Sequence, residues 1–222
     1  MRAMEGTYRP SSARGSVAIA LLLLMALLAA ASALHFSSAF DLADRAARGA
    51  LRPGEATAFD DLTQTLARLE LAGSVLTGIA WFVWLHRAVA NARSLSVQTA
   101  ATPGWSVGWW FIPFANLVKP YQILRSLFDG LVSGSGRIVG FWWGCYLLAG
   151  LVGNFAALQR PETLAALRVY AGSFLLTDTL RLAAAILAAF MVWTIDEGTE
   201  SLARKAALPS AAPAGSPSEA TP

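Results

Sequence analysis

Residues 103–121 read Pro-Gly-Trp-Ser-Val-Gly-Trp-Trp-Phe-Ile-Pro-Phe-Ala-Asn-Leu-Val-Lys-Pro-Tyr. Trp105, Trp109 and Trp110 fall in an apolar run that Pro113 and Pro120 break and that Asn116 and Lys119 interrupt. Proline removes a backbone donor and clashes with the preceding turn, so no straight helix passes through both. Trp and Tyr favour the headgroup level, where an apolar ring also keeps an N–H or O–H wet. The stretch therefore predicts an element at a membrane surface or dipping into it. Pro120 suits the first position of a helix that stops near Gly130. Phe114, Leu117, Val118, Tyr121, Leu124 and Phe128 share one face of that segment, and Asn116, Lys119, Gln122, Ser126 and Asp129 the other. That pattern describes an in-plane amphipathic helix. Arg125 falls at the edge of the apolar face and reads as a snorkelling side chain or a ligand for a lipid phosphate.

On both sides of this stretch the chain is apolar. Of 222 residues, 55% are hydrophobic and 14% charged, against about 25% charged in ordinary globular chains. A bilayer core takes about 20 apolar residues as a helix. Four spans fit, at 17–34, 70–87, 138–158 and 174–193, separated by an external loop 35–69 and the interfacial segment 103–130. Residues 1–16 precede them. Residues 196–222 form a tail, whose prolines and small polar residues read as disordered from about 206. Ser133–Gly136 is a flexible link. Helical periodicity from Leu62 to Ala80 starts the second helix before the bilayer, and that helix continues to about Leu95. The fold expected is an all-α integral membrane protein, a four-helix bundle with a proline-broken, tryptophan-rich interfacial element. Residues 17–34 with Ala31-Ser32-Ala33 also resemble a cleavable signal, which would leave three spans.

Basic residues favour cytoplasmic loops. Ten lie on the side of the termini and six on the other, which puts both termini in the cytoplasm of a cell-membrane protein. Trp81, Trp84, Trp142, Trp143 and Trp193 fall on the same side as the three indoles of the loop. A wrong span count would scatter them.

Trp84-Leu85-His86-Arg87-Ala88-Val89-Ala90-Asn91 and the run from Pro103 to Gln122 carry a resemblance. They resemble the bacterial membrane family known as domain of unknown function 4328, over residues 65–195 or so. The resemblance implies a multi-span bacterial membrane protein and carries over no catalytic residue.

Other constellations are weighed on their own. Gly136, Gly140 and Gly144 recur every four residues, which lets helix backbones approach closely, either within the bundle or between two copies. Asp178 and Arg181 share a helix face inside the fourth span, as an ion pair or as part of a solute path. His86, Arg87 and Asn91 form a polar cap on the second helix and are expected to meet Asn116 and Lys119 and satisfy the broken backbone. His35 and His86 lie on opposite sides, so one chain builds no two-histidine metal site. No metalloprotease, hydrolase or phosphate-loop motif occurs. No catalytic residue, metal or cofactor is expected. Cys145 forms no intrachain disulfide, being alone, and the dispersed basic residues do not suit nucleic acid. The reading is a non-enzymatic membrane module whose platform (Trp105, Trp109, Trp110, Pro113, Asn116, Lys119, Pro120, Tyr121 and Arg125) binds membrane lipids or a protein partner, with self-association open. The alternative is a small transporter or channel subunit using Asp178 and Arg181.

Overall fold

The computed structural model describes residues 8–132 and 136–208. The expectations placed on residues 1–7, on 133–135 of the glycine-serine link and on the tail from 209 lie outside the described residues. The described chain is helical throughout: α1 (Ser12–Ala47), α2 (Glu55–Ser94), a short α3 (Pro103–Gly108), α4 (Lys119–Leu131), α5 (Arg137–Ala157) and α6 (Leu164–Ala207). Four of these, α1, α2, α5 and α6, are long and apolar enough to cross a membrane. This is an all-α membrane bundle.

Three of the helices are much longer than a bilayer needs. With 36, 40 and 44 residues in α1, α2 and α6, each exceeds about 50 Å at 1.5 Å per residue, against a hydrocarbon core of about 30 Å. The expected spans 17–34, 70–87 and 174–193 are the middles of these helices, and α5 alone stops at its span. Residues 196–207, read as tail, belong to α6, including Ala206 and Ala207 where disorder was expected to begin.

A seam of small residues explains how α1 and α6 pair. The buried face of α1 runs Gly15, Ala18, Leu22, Ala26, Ala29, Ser32. It meets Thr177, Asp178, Ala184, Ala185, Ala188, Ala189 and Asp196 on α6, and the two helices share the largest interface in the molecule. They run antiparallel, tied at one end by Ser11 Oγ donating to Asp196 Oδ1 at 2.8 Å and at the other by Ser32 Oγ donating to Asp178 Oδ2 at 2.6 Å. A Cβ on Gly15 would stand 1.8 Å from Asp196 Oδ2, so only glycine lets the helices approach there. The start of α1 and the end of α6 thus lie together at what we term the terminal end; the opposite end is the loop end. At the loop end Phe36, Ala39 and Ala171 form a second small core with Phe59, Tyr170 and Phe174. The α1–α2 hairpin turns at Gly54 (φ 86°). Arg45 clamps it with bonds of 2.7 and 2.8 Å to Glu55.

α2 lies against α1, and α5 against α6, while α2 and α5 stand apart. The glycine stripe of α5 departs from expectation here. A Cβ on Gly140 or Gly144 would meet nothing within 4 Å, so neither packs against α6. Gly136 instead lies beside Arg125 and Asp129. The close α5–α6 contact is at Gly153, whose Cβ would come to 3.1 Å from Thr177. At the terminal end Leu131 O would sit 2.3 Å from a Cβ on Gly198, the closest approach of the α4 end to α6.

These distances separate two glycine substitutions. Gly198→Ala forces a rigid backbone carbonyl aside and is expected to destabilise by about 1–3 kcal/mol. Gly140→Ala meets nothing and is expected to be neutral or to stabilise by up to about 1 kcal/mol, the helix-propensity difference. Thermal melts of the detergent-solubilised protein followed by circular dichroism distinguish the two.

Candidate functional site

The broken segment is folded into the bundle. After α3 come a 3-10 turn at Trp109–Phe111, a γ-turn and a second 3-10 turn at Ala115–Leu117. The γ-turn centres on Phe114, at φ 62° with Ala115 N donating to Pro113 O at 2.7 Å. That hand of γ-turn is rare and strained for a bulky residue, and it stands where Pro113 rules out a continuous helix. Helix α4 then starts at Lys119 with Pro120 in its first turn. Its buried face is Pro120, Ile123, Leu124, Leu127 and Phe128, and it contacts α2, α5 and α6. The apolar side is spent on the protein, so α4 is not a helix floating in the membrane plane. Phe114, Leu117 and Val118, expected on that face, are exposed.

The platform residues separate accordingly. Trp105 is exposed and stacks near Trp109, and Lys119 lies over the Trp109 ring at 5.6 Å while donating to Gln122. Tyr121 packs against the core. Arg125 is held by Asp129 at 2.6 Å. The indoles are not a headgroup belt: Trp81, Trp84, Trp142 and Trp143 are buried. Trp81 has its ring centroid 5.7 Å from Trp142 and 6.3 Å from Trp110, and Trp110 is 6.0 Å from Trp143. Trp193, with Phe190, is exposed.

The polar cap of α2 has a different partner from the one expected. Asn91 Nδ2 donates to Arg9 O at 3.0 Å, its Oδ1 accepts from Arg9 N at 3.4 Å, and Arg87 reaches the same carbonyl at 3.4 Å. The cap therefore holds the Arg9 backbone of the segment entering α1, not Asn116 and Lys119. His86 is exposed. The broken backbone is satisfied instead by Trp143, whose Nε1 donates to Leu117 O at 3.0 Å. Next to the cap, Asp196 Oδ1 accepts from both Ser11 and Trp84 Nε1, the latter at 3.2 Å. Asp196 was missed because it lies past the hydropathy limit of the fourth span. A signal existed: it is 18 residues from Asp178, five full turns, and so on the same face.

The intramembrane pair is a larger group. Asp178 is fully buried, and Arg181 reaches it at 3.5 Å and Glu70 of α2 at 2.9 Å. Glu70, read only as the edge of a span, thus joins α2 to α6. Beside it opens a groove of about 330 Å³ between α2 and α5, floored by α1 and α6. Glu70, Ser74, Thr77, Gly78 and Trp81 recur along one face of α2 and line it. Trp110, Trp142 and Tyr146 close it toward the terminal end, and Arg181 stands at the loop end. Arg181 and Tyr146 are partly in the open, so the groove reaches the bundle surface. Its wall is apolar except for Glu70, Ser74, Thr77, Arg181, the indole N–H groups and the Tyr146 hydroxyl. Among the described residues, five side chains carry a buried polar atom with no protein partner, and Glu70, Thr77, Trp81 and Trp110 of the groove wall are four of them; Asn116 is the fifth.

Asp196→Ala leaves the Ser11 hydroxyl and the Trp84 N–H unpaired and is expected to cost about 1–3 kcal/mol. Asp196→Asn keeps the one oxygen that accepts both bonds and is expected to restore most of it, as read by thermal melts in detergent.

No curated protein and no solved structure matches the chain. The family model described as Domain of unknown function (DUF4328) matches residues 47–197, which take in α2, the whole broken segment, α5 and most of α6, and the chain belongs to that family.

Proposed function

We propose that this chain is a non-enzymatic lipid-binding module of a bacterial cell membrane, and that the lipid lies in the groove between α2 and α5. The observation that carries this reading is the groove of about 330 Å³ between α2 and α5, which reaches the bundle surface and whose mostly apolar wall includes Glu70, Ser74, Thr77, Arg181 and Tyr146. A ligand with an apolar body and a few polar atoms suits such a wall. Pockets for such ligands are mostly apolar with a small number of placed polar groups. The platform of the sequence reading enters this picture through Trp110, which forms part of the wall, while Trp105 and Phe114 remain exposed for contact with the membrane surface.

A solute path through the fourth span has less support. Asp178 has one oxygen on Ser32 and the other on Arg181, and it does not line the groove. Arg181 does line it, beside a wall too apolar to hydrate a travelling ion.

Gly78 lines the groove, and a Cβ there meets nothing within 4 Å. Gly78→Phe therefore fills the space with no backbone clash. It is expected to cut the lipid that co-purifies with the protein, measured by native mass spectrometry, by about tenfold (~1.4 kcal/mol), at an unchanged or higher melting temperature. Unchanged lipid retention ends the proposal.

The same reading puts the terminal end in the cytoplasm, on the ten-to-six balance of basic residues. With Cys145→Ser as background, Leu51→Cys is expected to react with a membrane-impermeant maleimide on intact cells. Trp105→Cys is expected to react only after permeabilisation. The reverse pattern inverts the topology.

A further inference from the structure

Helix α5 sets a depth scale at the terminal end. Its 21 residues, Arg137–Ala157, rise about 31 Å, the thickness of one hydrocarbon core, so Arg137 marks the terminal rim. Gly136, at that rim, lies beside Arg125 and Asp129 of α4. Trp143, whose indole donates to Leu117 O at 3.0 Å, is six residues past Arg137, about 9 Å inside. On α2 the ring of Phe82 is 5.5 Å from Phe111 and 5.6 Å from Trp110. Phe82 is five residues before Arg87, about 7 Å inside. Helix α4 agrees with both. Its end at Leu131 lies beside Gly198, five residues beyond Trp193, where the fourth span closes. Its 13 residues rise about 18 Å, which carries Lys119 back below the rim. Residues 109–119 therefore turn inside the hydrocarbon layer and not on top of it.

The segment is built for that depth. No charged residue occurs between Arg93 and Lys119. Phe111, Ile112, Phe114, Leu117 and Val118 are exposed, Phe114 by 84%, a run of bare apolar side chains that water does not favour. Irregular backbone at membrane depth needs its polar groups satisfied by the protein, and here they are. The carbonyls of Ile112, Pro113, Phe114, Ala115 and Val118 accept backbone N–H groups at 2.7–3.2 Å, and that of Leu117 accepts Trp143. The first charge, Lys119, lies over Trp109 and donates to Gln122, one turn nearer the rim, as a snorkelling lysine does.

We infer that residues 109–119 form a re-entrant hairpin in the terminal-end leaflet, and that its exposed face, Phe111, Ile112, Phe114, Leu117 and Val118, is covered by the acyl chains of that leaflet. The strained turn at Phe114 is the tip of this wedge. A protein of the surrounding water would have to pass below the rim to reach it. The inference rests on the bundle lying in a membrane and not on what fills the groove between α2 and α5, so loss or survival of lipid binding in Gly78→Phe does not bear on it.

The test uses the full chain with Cys145→Ser, in vesicles of palmitoyl-oleoyl phosphatidylcholine and phosphatidylglycerol, carrying a nitroxide on one introduced cysteine. Collisions with oxygen, which concentrates in hydrocarbon, are compared with collisions with a nickel chelate, which stays in water. Leu148→Cys, exposed on α5 and 11 residues past Arg137, is the hydrocarbon reference, and Leu51→Cys, before the turn into α2, is the water reference. At Phe114→Cys the expected result is an oxygen-to-nickel ratio shifted to the Leu148 side. A ratio at the Leu51 value puts the tip in water and overturns the inference. Protection from both probes means that protein covers the tip, a partner or a second copy, and overturns it too. Where the labelled chain fails to fold, Phe114→Asp decides. Aspartate accepts a positive φ more readily than phenylalanine, so on a wetted turn it leaves the melting temperature in the same vesicles unchanged or raises it. In hydrocarbon its charge is costly, and a fall of about 5 °C or more is expected. An unchanged or higher melting temperature overturns the inference.

Discussion

The bundle depends on α1 and α6 lying close together, and that closeness is an achievement of polar and small side chains. Between helices in lipid there is no hydrophobic drive, because acyl tails are as apolar as leucine; contact comes from close packing and hydrogen bonds. The seam of Gly15, Ala18, Ala26 and Ala29 against Ala184, Ala185, Ala188 and Ala189 supplies the packing. The bonds from Ser11 to Asp196 and from Ser32 to Asp178 supply the direction and the register. A slip of one residue would separate both pairs at once and take a donor from each of two buried carboxyl groups, which carries a penalty. The ties are 18 residues apart on α6, about 27 Å, near the thickness of a bilayer core. Each therefore sits close to one rim, where a carboxyl group is least expensive to hold.

The groove follows from that seam. With α1 and α6 drawn together, α2 packs on the flank of one and α5 on the flank of the other, and these outer helices do not pack along their lengths. Large rings cross the gap only toward the terminal end, where Trp81, Trp110 and Trp142 stack and interleave. Glu70 and Arg181 bridge it toward the loop end. What lies between is open. The proline-broken segment has a structural part in this: a continuous helix could not turn Trp110 back into the wall while leaving Trp143 to cap Leu117 O.

Local physics was legible in the sequence, and pairing was not. Four membrane-length helices could be read because hydropathy acts residue by residue, and the break at Pro113 and Pro120 because proline acts on its own turn. Pairing needs knowledge of what lies opposite. Gly136, Gly140 and Gly144 have the spacing of a helix seam, and Ala184, Ala185, Ala188 and Ala189 read as its partners, yet those alanines pair with α1. Indole rings are equally at home at a headgroup and in a core, since either gives the N–H an outlet, so tryptophan order along the chain marked one end of the bundle but not the buried environment that Trp81, Trp84, Trp142 and Trp143 take. Arg87 and Asn91 were recognisable as a cap in need of partners; that the partner is the Arg9 backbone depends on where α1 begins. Glu70 was visible only as a charge ending an apolar run.

Polar groups in this bundle differ in what their bonds join. Asp196 takes two donors on Oδ1, Asp178 takes one on each oxygen, and Asn91 both gives and receives. Each of these joins elements that must not move. Glu70, Thr77, Trp81 and Trp110 join nothing through the polar atoms they leave unpaired, and they line the groove between α2 and α5. A bundle needing only to persist would lower its energy by replacing Thr77 with valine and Trp81 with phenylalanine, since an apolar substitute of similar shape removes the penalty of an unpaired group. Polar residues kept on a wall that is otherwise apolar suit an occupant mixed in the same way, and in a membrane the molecule always at hand, apolar along its length and polar at its end, is a lipid.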